Sequence, residues 1–476
     1  MRPILIAVLA AVAVATGAWA NERPQDRAGV SPEPSRPAVT VTRDGDAWTA
    51  EYELDRDAPV WAFFRSALID GSRRPWRLGQ WRVVTPGVVL ERAGQYDILR
   101  AADGESVPRR VRIAFAPKSE NLEADYATLV FTDGSVALPS GQFDVFPLPS
   151  VAVAATVPTD LNGYPLETEP ATVTWRDRAG PVLFRGERLD EARAADANTY
   201  VLFGQADLAG NERLVTVVDP QLPAWIGGAL QDFAPRVADV YAARLGPGQT
   251  DRPTIMVSWA GPTSGMTSMG GSVMPGLIVM RFEGTGVLEP TARVLGAARW
   301  FIGHESAHFW LGQVVRYERA RDAWITEGGA DLMAIRALKT IDPDYDARAE
   351  LQKAVDDCIR LADEPVAEAA GRGEHRALYA CGAVFAMTAE GAQRRATGGD
   401  WFDFLKPLID AGREDGVLTR DEWLDALDAV SGDESLRRDM ETLLDQGSDG
   451  ASAVVARLFD RSGVAYDMEN GGVRLL

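Results

Sequence analysis

Three histidines and two cysteines in 476 residues are too few for a disulfide framework or a cysteine-rich metal module, so where each one stands carries weight. Lysine is almost missing: Lys118, Lys339, Lys353 and Lys406 are the lysines among 49 Lys+Arg. We read that bias as genomic composition, because nothing in it points to a partner. Against 69 Asp+Glu the net charge is −20. The basic footprint that a nucleic-acid partner requires is absent. Beyond residue 20 no stretch approaches 18 apolar residues, so no stable membrane insertion is expected. A sustained heptad is also lacking, and 46% hydrophobic residues with 13 Trp exclude disorder and collagen. At ~150 residues per domain, the length corresponds to about three domains or subdomains.

What is present begins with an export pattern. Arg2 is a short basic segment, Ile4 to Gly17 is apolar, and Ala18-Trp19-Ala20 is an A-x-A cleavage site. Residues 1–20 are therefore expected to be a signal peptide, with a mature chain starting at Asn21 in the periplasm or outside the cell. The rival is an uncleaved anchor. No cysteine follows the cleavage site, so a lipid anchor is not expected. In an oxidising compartment Cys358 and Cys381 either pair or remain two buried thiols, and the sequence leaves both readings open.

Residues 21–38 carry four prolines and almost no large apolar side chain, and read as a solvated linker. From 39 to 218 short β-branched and aromatic runs (VTVTR, AWTAEYEL, YATLVFTDGSVAL, ATVTW, TYVLFG, RLVTVV) predict a β-rich domain, with Asp133-Gly134 as a hairpin turn. At Asp219-Pro220 the period changes. LPAWIGGALQDFAPRVADVYAARLG predicts an amphipathic helix, with Pro235 as a candidate kink. The strand TIMVS, a Gly/Met/Ser loop (WAGPTSGMTSMGGSVMPG) and the strand LIVMRF follow. From Glu289 to the end the pattern is helical almost throughout. The fold class is α+β: a β-rich domain over 39–218, a core over 219–345 and a helical lobe over 346–476.

The chemistry concentrates in RWFIGHESAHFWLGQVVRYERARDAWITEGGADLMAIRAL. His304-Glu305-Ser306-Ala307-His308 is H-E-x-x-H on a helical pattern, and residues four apart share a face, so both imidazoles can converge on one ion. With this histidine content the motif arises by chance in on the order of one chain in a thousand. The bland alternative is two core histidines. Glu305 is placed to take a proton from an activated water. Glu327, 19 positions after His308, opens a second helix and completes a His, His, Glu set suited to one Zn²⁺ per chain. Alone it would read as a helix-start carboxylate favoured by the dipole. Asp331, one turn on, can accept the other ring N–H of a ligating histidine; the competing role is a surface ion pair. His375 competes for the third ligand position, although a polar helix surface is its simpler reading. EDGVLTRDEWLDAL resembles the second half of an EF-hand loop, but Ala411 and Arg413 would fall where calcium needs oxygen ligands.

HESAHFWLGQVV resembles the H-E-x-x-H-x-W-x-G-x-x-V stretch of aminopeptidase-N-type zinc peptidases, the group that includes leukotriene A hydrolase. W-I-T-E-G-G-A, with Glu327 after an 18-residue spacing, is similar to that family's W-L-N-E-G-F-A. The resemblance covers roughly residues 220–390. It implies a thermolysin-like catalytic domain behind a β domain, and no long C-terminal helical-repeat domain is visible. Tyr379-Ala380-Cys381-Gly382-Ala383 resembles the family's Y-x-x-G-A, which implies that Tyr379 donates to the oxyanion of the tetrahedral intermediate. One motif departs. The family's G-x-M-E-N edge strand, whose glutamate holds the substrate's free amino group, aligns with Gly270-Gly271-Ser272-Val273-Met274. Gly270 and Gly271 still allow close approach of substrate backbone. Val273 cannot bind an ammonium, and Glu283 or a carboxylate of the β domain is the candidate substitute.

The expected function is an exported zinc peptidase acting on peptide or protein substrates, with Glu305 and Tyr379 catalytic. The alternative is a peptide-binding or scaffold module that keeps the zinc site without turnover. Hydrolysis of a non-peptide substrate is a third, weaker reading. Oligomeric state and side-chain preference are not legible.

Overall fold

A computed structural model describes Ala7–Val8 and residues 34–476 except 124, 162–163, 167, 196–197, 211–213 and 251. The expected signal peptide, apart from Ala7–Val8, and the expected linker as far as residue 33 lie outside the described residues. The chain divides into two compact units, Met1–Leu222 with Thr254–Thr285, and Pro223–Pro253 with Gly286–Leu476. The stretch 219–345 contributes to both.

The first unit is built from sheets. Alternating residues explain them: in Ala38–Asp44, Val39 and Val41 are buried between more exposed threonines, and this strand pairs antiparallel with Ala47–Glu53 and parallel with Thr172–Asp177. The core between the strands is aromatic, with Trp61 and Trp175 fully buried. It also encloses a charge: Arg77 donates to the carbonyls of Arg65 and Gln142 and pairs with Asp97 at 3.1 Å. Asp133-Gly134 forms the expected turn, with Gly134 at φ 83° between the antiparallel strands Leu129–Val130 and Val136–Pro139.

A further sheet of this unit contains β1 (Leu208–Gly210), β2 (Val215–Val218), β3 (Thr254–Trp259), β4 (Ser268–Met274) and β5 (Leu277–Glu283). Their order is β4-β5-β3-β2-β1, with β3 parallel to both β2 and β5 and β4 antiparallel to β5; Ala7–Val8 pairs parallel with Ser268–Met269 beyond β4. Here one expectation is corrected. Much of the segment read as a Gly/Met/Ser loop is strand β4, held by pairing along its whole length with β5. Glycine and methionine carry little strand propensity, so backbone hydrogen bonding rather than side-chain pattern makes this strand.

The second unit is helical. Its main helices are α1 (Ala224–Leu245), α2 (Ala292–Ala307), α3 (Trp324–Ile341), α4 (Ala347–Leu361) and α5 (Arg376–Thr397). Helix α1 runs through Pro235 without ending there. Cys358 and Cys381 are disulfide-bonded, which ties α4 to α5. The reading of the C-terminal region as helical fails at its end, where Tyr466–Glu469 and Gly472–Leu475 form an antiparallel hairpin around Asn470-Gly471, both at positive φ. Among the described residues no helix is long and apolar enough to cross a membrane.

Helices α3 and α5 cross at a point where both carry glycine. A Cβ on Gly328 would overlap the Gly382 backbone, and one on Gly382 would overlap the carbonyl oxygen of Trp324. Gly303 of α2 is a milder case, since a Cβ there would sit 3.1 Å from that of Ala334 in α3. Helix propensity alone favours Gly→Ala by about 1 kcal/mol. At the crossing the backbone overlap outweighs it, because overpacking costs about 1–3 kcal/mol or more. Gly328→Ala should therefore lower the melting temperature, whereas Gly296→Ala, with open space around its Cβ position in α2, should hold or raise it. Equal effects of the two substitutions in thermal unfolding would refute the close-packing account.

Candidate metal centre

The second unit brings together six of the residues singled out from sequence: His304, Glu305, His308, Glu327, Asp331 and Tyr379. Helix α2 is capped by Thr291, whose hydroxyl accepts from the Val294 N–H. His304 and Glu305 occupy its last turn and His308 stands at its C-cap, still in a helical conformation. Gly312 then turns the chain at φ 136°, where a Cβ would come 3.2 Å from the His308 carbonyl oxygen. This turn returns the Leu311 carbonyl oxygen to within 2.8 Å of His308 Nδ1. Asp331, one turn after Glu327 on α3, places Oδ1 2.8 Å from His304 Nδ1.

Both Nδ1 atoms thus have acceptors and carry a proton, so that when each ring is neutral its Nε2 lone pair faces inward. Their separation is 3.1 Å. Glu327 Oε2 lies 3.4 Å from His304 Nε2 and 3.5 Å from His308 Nε2. That oxygen is buried and has no hydrogen-bond partner among the described residues. Ligands about 2.0–2.1 Å from a tetrahedral zinc ion are about 3.3 Å apart. The triangle matches three corners of such a site and leaves the fourth open. Among the described residues, this is the group of His, Cys, Asp or Glu able to hold an ion. His375 is not part of it and stands at the N-cap of α5.

The centre is largely buried, and burial competes with the neighbouring charges at each group. Burial opposes protonation of His304, but Asp331 and Glu327 outweigh it and raise its pKa to about 10 when no ion is present. His308 is likewise raised, chiefly by Glu327, against the effect of burial. Burial acts on Glu327 in the upward direction, yet His308 and His304 bring it down to about 2. Glu305 is the different one. Burial dominates and pushes it up to about 7, with His304 and His308 pulling the other way. Its side chain makes no hydrogen bond or ion pair among the described residues. Tyr379, in the first turn of α5, stacks on His304 with ring centroids 5.7 Å apart. Burial and then the Glu327 carboxylate drive its phenol far above the usual range, so it stays a protonated donor.

Gly270 and Gly271 lie in the first unit, on β4, paired with Arg281 and Met280 of β5. Val273 pairs with Ile278. Glu283, the candidate replacement for the amine anchor, is engaged at both oxygens, by Thr263 at 2.6 Å and by Arg281 at 2.6 Å. Sequence reasoning missed the Leu311 carbonyl as the partner of His308. A backbone acceptor leaves no side-chain signature, and Gly312 was the sole trace of the turn that delivers it.

No protein-family model and no curated protein sequence matches the chain. Solved structures do. An aminopeptidase N family protein from Idiomarina loihiensis superposes with a TM-score of 0.59 at 11% identity, covering 86% of this chain and 76% of that one. Leukotriene A4 hydrolase from Saccharomyces cerevisiae gives 0.52 at 12%, covering 89% and 71%. At these identities the likeness is one of fold. The chain has the α+β fold of the aminopeptidase N-type zinc metallopeptidases, a β-sheet region followed by a helical one.

Proposed function

We propose that this chain is an exported zinc peptidase that hydrolyses peptide bonds, with one ion held by His304, His308 and Glu327. The observation that carries the reading is the triangle of two imidazole nitrogens and one carboxylate oxygen without a hydrogen bond, 3.1 to 3.5 Å on its edges, with His304 and Glu327 buried and His308 half-buried. A zinc ion bound there supplies Lewis acidity toward a water molecule and the scissile carbonyl. Glu305 takes the proton of the attacking water and delivers it to the leaving amine. A carboxylate poised near neutrality and free of other partners suits that task. Tyr379 donates its O–H to the oxyanion as charge develops. Asp331 keeps His304 in the tautomer that presents Nε2.

Selection of substrate is a separate matter. The family resemblance would make free amino ends the target, through a carboxylate at the position Val273 occupies. Val273 cannot fill that role, and Glu283 is already neutralised by Arg281. These two observations favour a second reading within the same chemistry, in which blocked peptides or internal bonds are cut. Peptide libraries with free and acetylated amino ends separate the two by mass spectrometry: acetylated peptides should be cleaved as readily as free ones. Trimming confined to free ends would restore the aminopeptidase reading and require a different anchoring carboxylate.

Glu305→Gln should lower hydrolysis by about 10²–10⁴-fold while zinc stays stoichiometric. Loss of the ion in that variant would mean that Glu305 is misassigned. No cleavage by the unsubstituted, zinc-loaded protein would favour a peptide-binding module. The metal assignment has its own signature. In the ion-free site His304 titrates at about 10, so at pH 8 it is protonated and zinc must displace that proton. Calorimetry in buffers of different ionisation enthalpy should show about one proton or more released per zinc, with affinity falling as pH is lowered. Proton-independent binding would contradict ligation by these imidazoles.

A further inference from the structure

Behind the ligand set a second line of charge runs from α4 to α3. Asp331 spends Oδ1 on His304 Nδ1, and its other oxygen, Oδ2, faces Arg376 Nη1 at 3.9 Å. Arg376 begins α5, three residues before Tyr379. Its Nε donates to Asp357 Oδ2 at 2.9 Å. Asp357 adjoins Cys358, whose disulfide to Cys381 ties the same two helices together. The Arg376 guanidinium is thus held from one side and directed at Asp331 on the other. The charge count gives this a purpose. Glu305, Glu327 and Asp331 bring three carboxylates into a pocket that is almost fully buried, and one divalent ion with two neutral imidazoles offsets two of them. Arg376, shared with Asp357, is the cation that faces the third of them, Asp331.

We propose that Arg376 is a positioning residue for the metal centre: it fixes and compensates Asp331, which in turn orients His304, and Asp357 holds Arg376 in place. The inference rests on the zinc reading of the site. It adds a residue outside every motif through which that reading was reached, and it couples the zinc ligands to the start of the helix bearing Tyr379.

Zinc affinity, measured by competition with a chromophoric chelator, reads this directly and needs no substrate. Arg376→Gln should weaken zinc by roughly tenfold, the order seen when partners behind metal ligands are removed, and Arg376→Lys should recover most of it. Asp357→Asn should fall between Arg376→Gln and the unsubstituted protein. In an Asp331→Asn background the further change Arg376→Gln should have no effect, because Arg376 acts through Asp331. An unchanged affinity in Arg376→Gln, or the same loss with and without Asp331, overturns the proposal. Should Arg376→Gln fail to fold, as judged by thermal melting of the ion-free protein, Arg376→Lys and Asp357→Asn carry the test: equal zinc affinity in Asp357→Asn and the unsubstituted protein overturns it. Absence of zinc from the unsubstituted protein would remove the site reading itself, a failure distinct from these.

Discussion

The contact between Gly328 and Gly382 is the constraint on which the rest of the centre depends. Glu327 precedes the first glycine by one residue, and Tyr379 precedes the second by one helical turn. Two helices can bring a short carboxylate and a phenol to the same imidazole only if their backbones come closer than side chains normally permit. Glycine at both positions removes the obstacle, and neither glycine needs a positive φ to justify it. The conformational entropy lost by placing glycine inside two helices, about 1 kcal/mol each, is a cost of convergence rather than of turning.

Around this crossing the polar groups are arranged for something other than stability. One buried histidine, one half-buried histidine and three buried carboxylates in one small region lose hydration that their mutual hydrogen bonds only partly replace. The two Nδ1 atoms are firmly held, by Asp331 and the Leu311 carbonyl at 2.8 Å, while the Nε2 atoms face only each other, at 3.1 Å, and Glu327 Oε2 at 3.4 and 3.5 Å. A core histidine pair would be satisfied on both nitrogens. The asymmetry is what a ligand set needs, since the rings must keep their orientation whether or not an ion is there.

Much of the centre was legible in the sequence because its side chains obey helix geometry. His304 and His308 are one turn apart, as are Glu327 and Asp331, and that spacing alone predicts a shared face. Tyr379 was legible only through a family resemblance, since a lone tyrosine in a helix carries no signal. What stayed hidden is what backbone and tertiary contact decide. The Leu311 carbonyl has no residue-type signature. Arg376 resembles any helix-start arginine until Asp331 and Asp357 are seen on either side of it. Strand β4 defeated pattern reading for the same reason: Gly270 and Gly271 give the sheet hydrogen bonds but no propensity. The hairpin near Asn470-Gly471 announces itself by its turn residues, yet it follows a helical stretch long enough to mask them.

The division of the chain into two units also separates the proposed chemistry from the proposed selection of substrate. All the residues that would bind the ion, move the proton and donate to the oxyanion belong to the second unit, where His304, His308, Glu327 and Tyr379 are constrained by a hydrogen bond to an outward ring nitrogen or by the crossing of α3 and α5. The positions that the family uses to recognise an amino terminus belong to the first, on a strand whose register is set by backbone pairing. A side chain can change there without disturbing that register. Under the proposed function, Val273 at the aligned anchor position would leave the residues of the second unit as they are while offering no charge to a free amino end. Loss of an anchor is then an argument about which peptides enter the reaction. It does not bear on the proposed hydrolysis itself, for which Glu305 stands buried beside the two histidines.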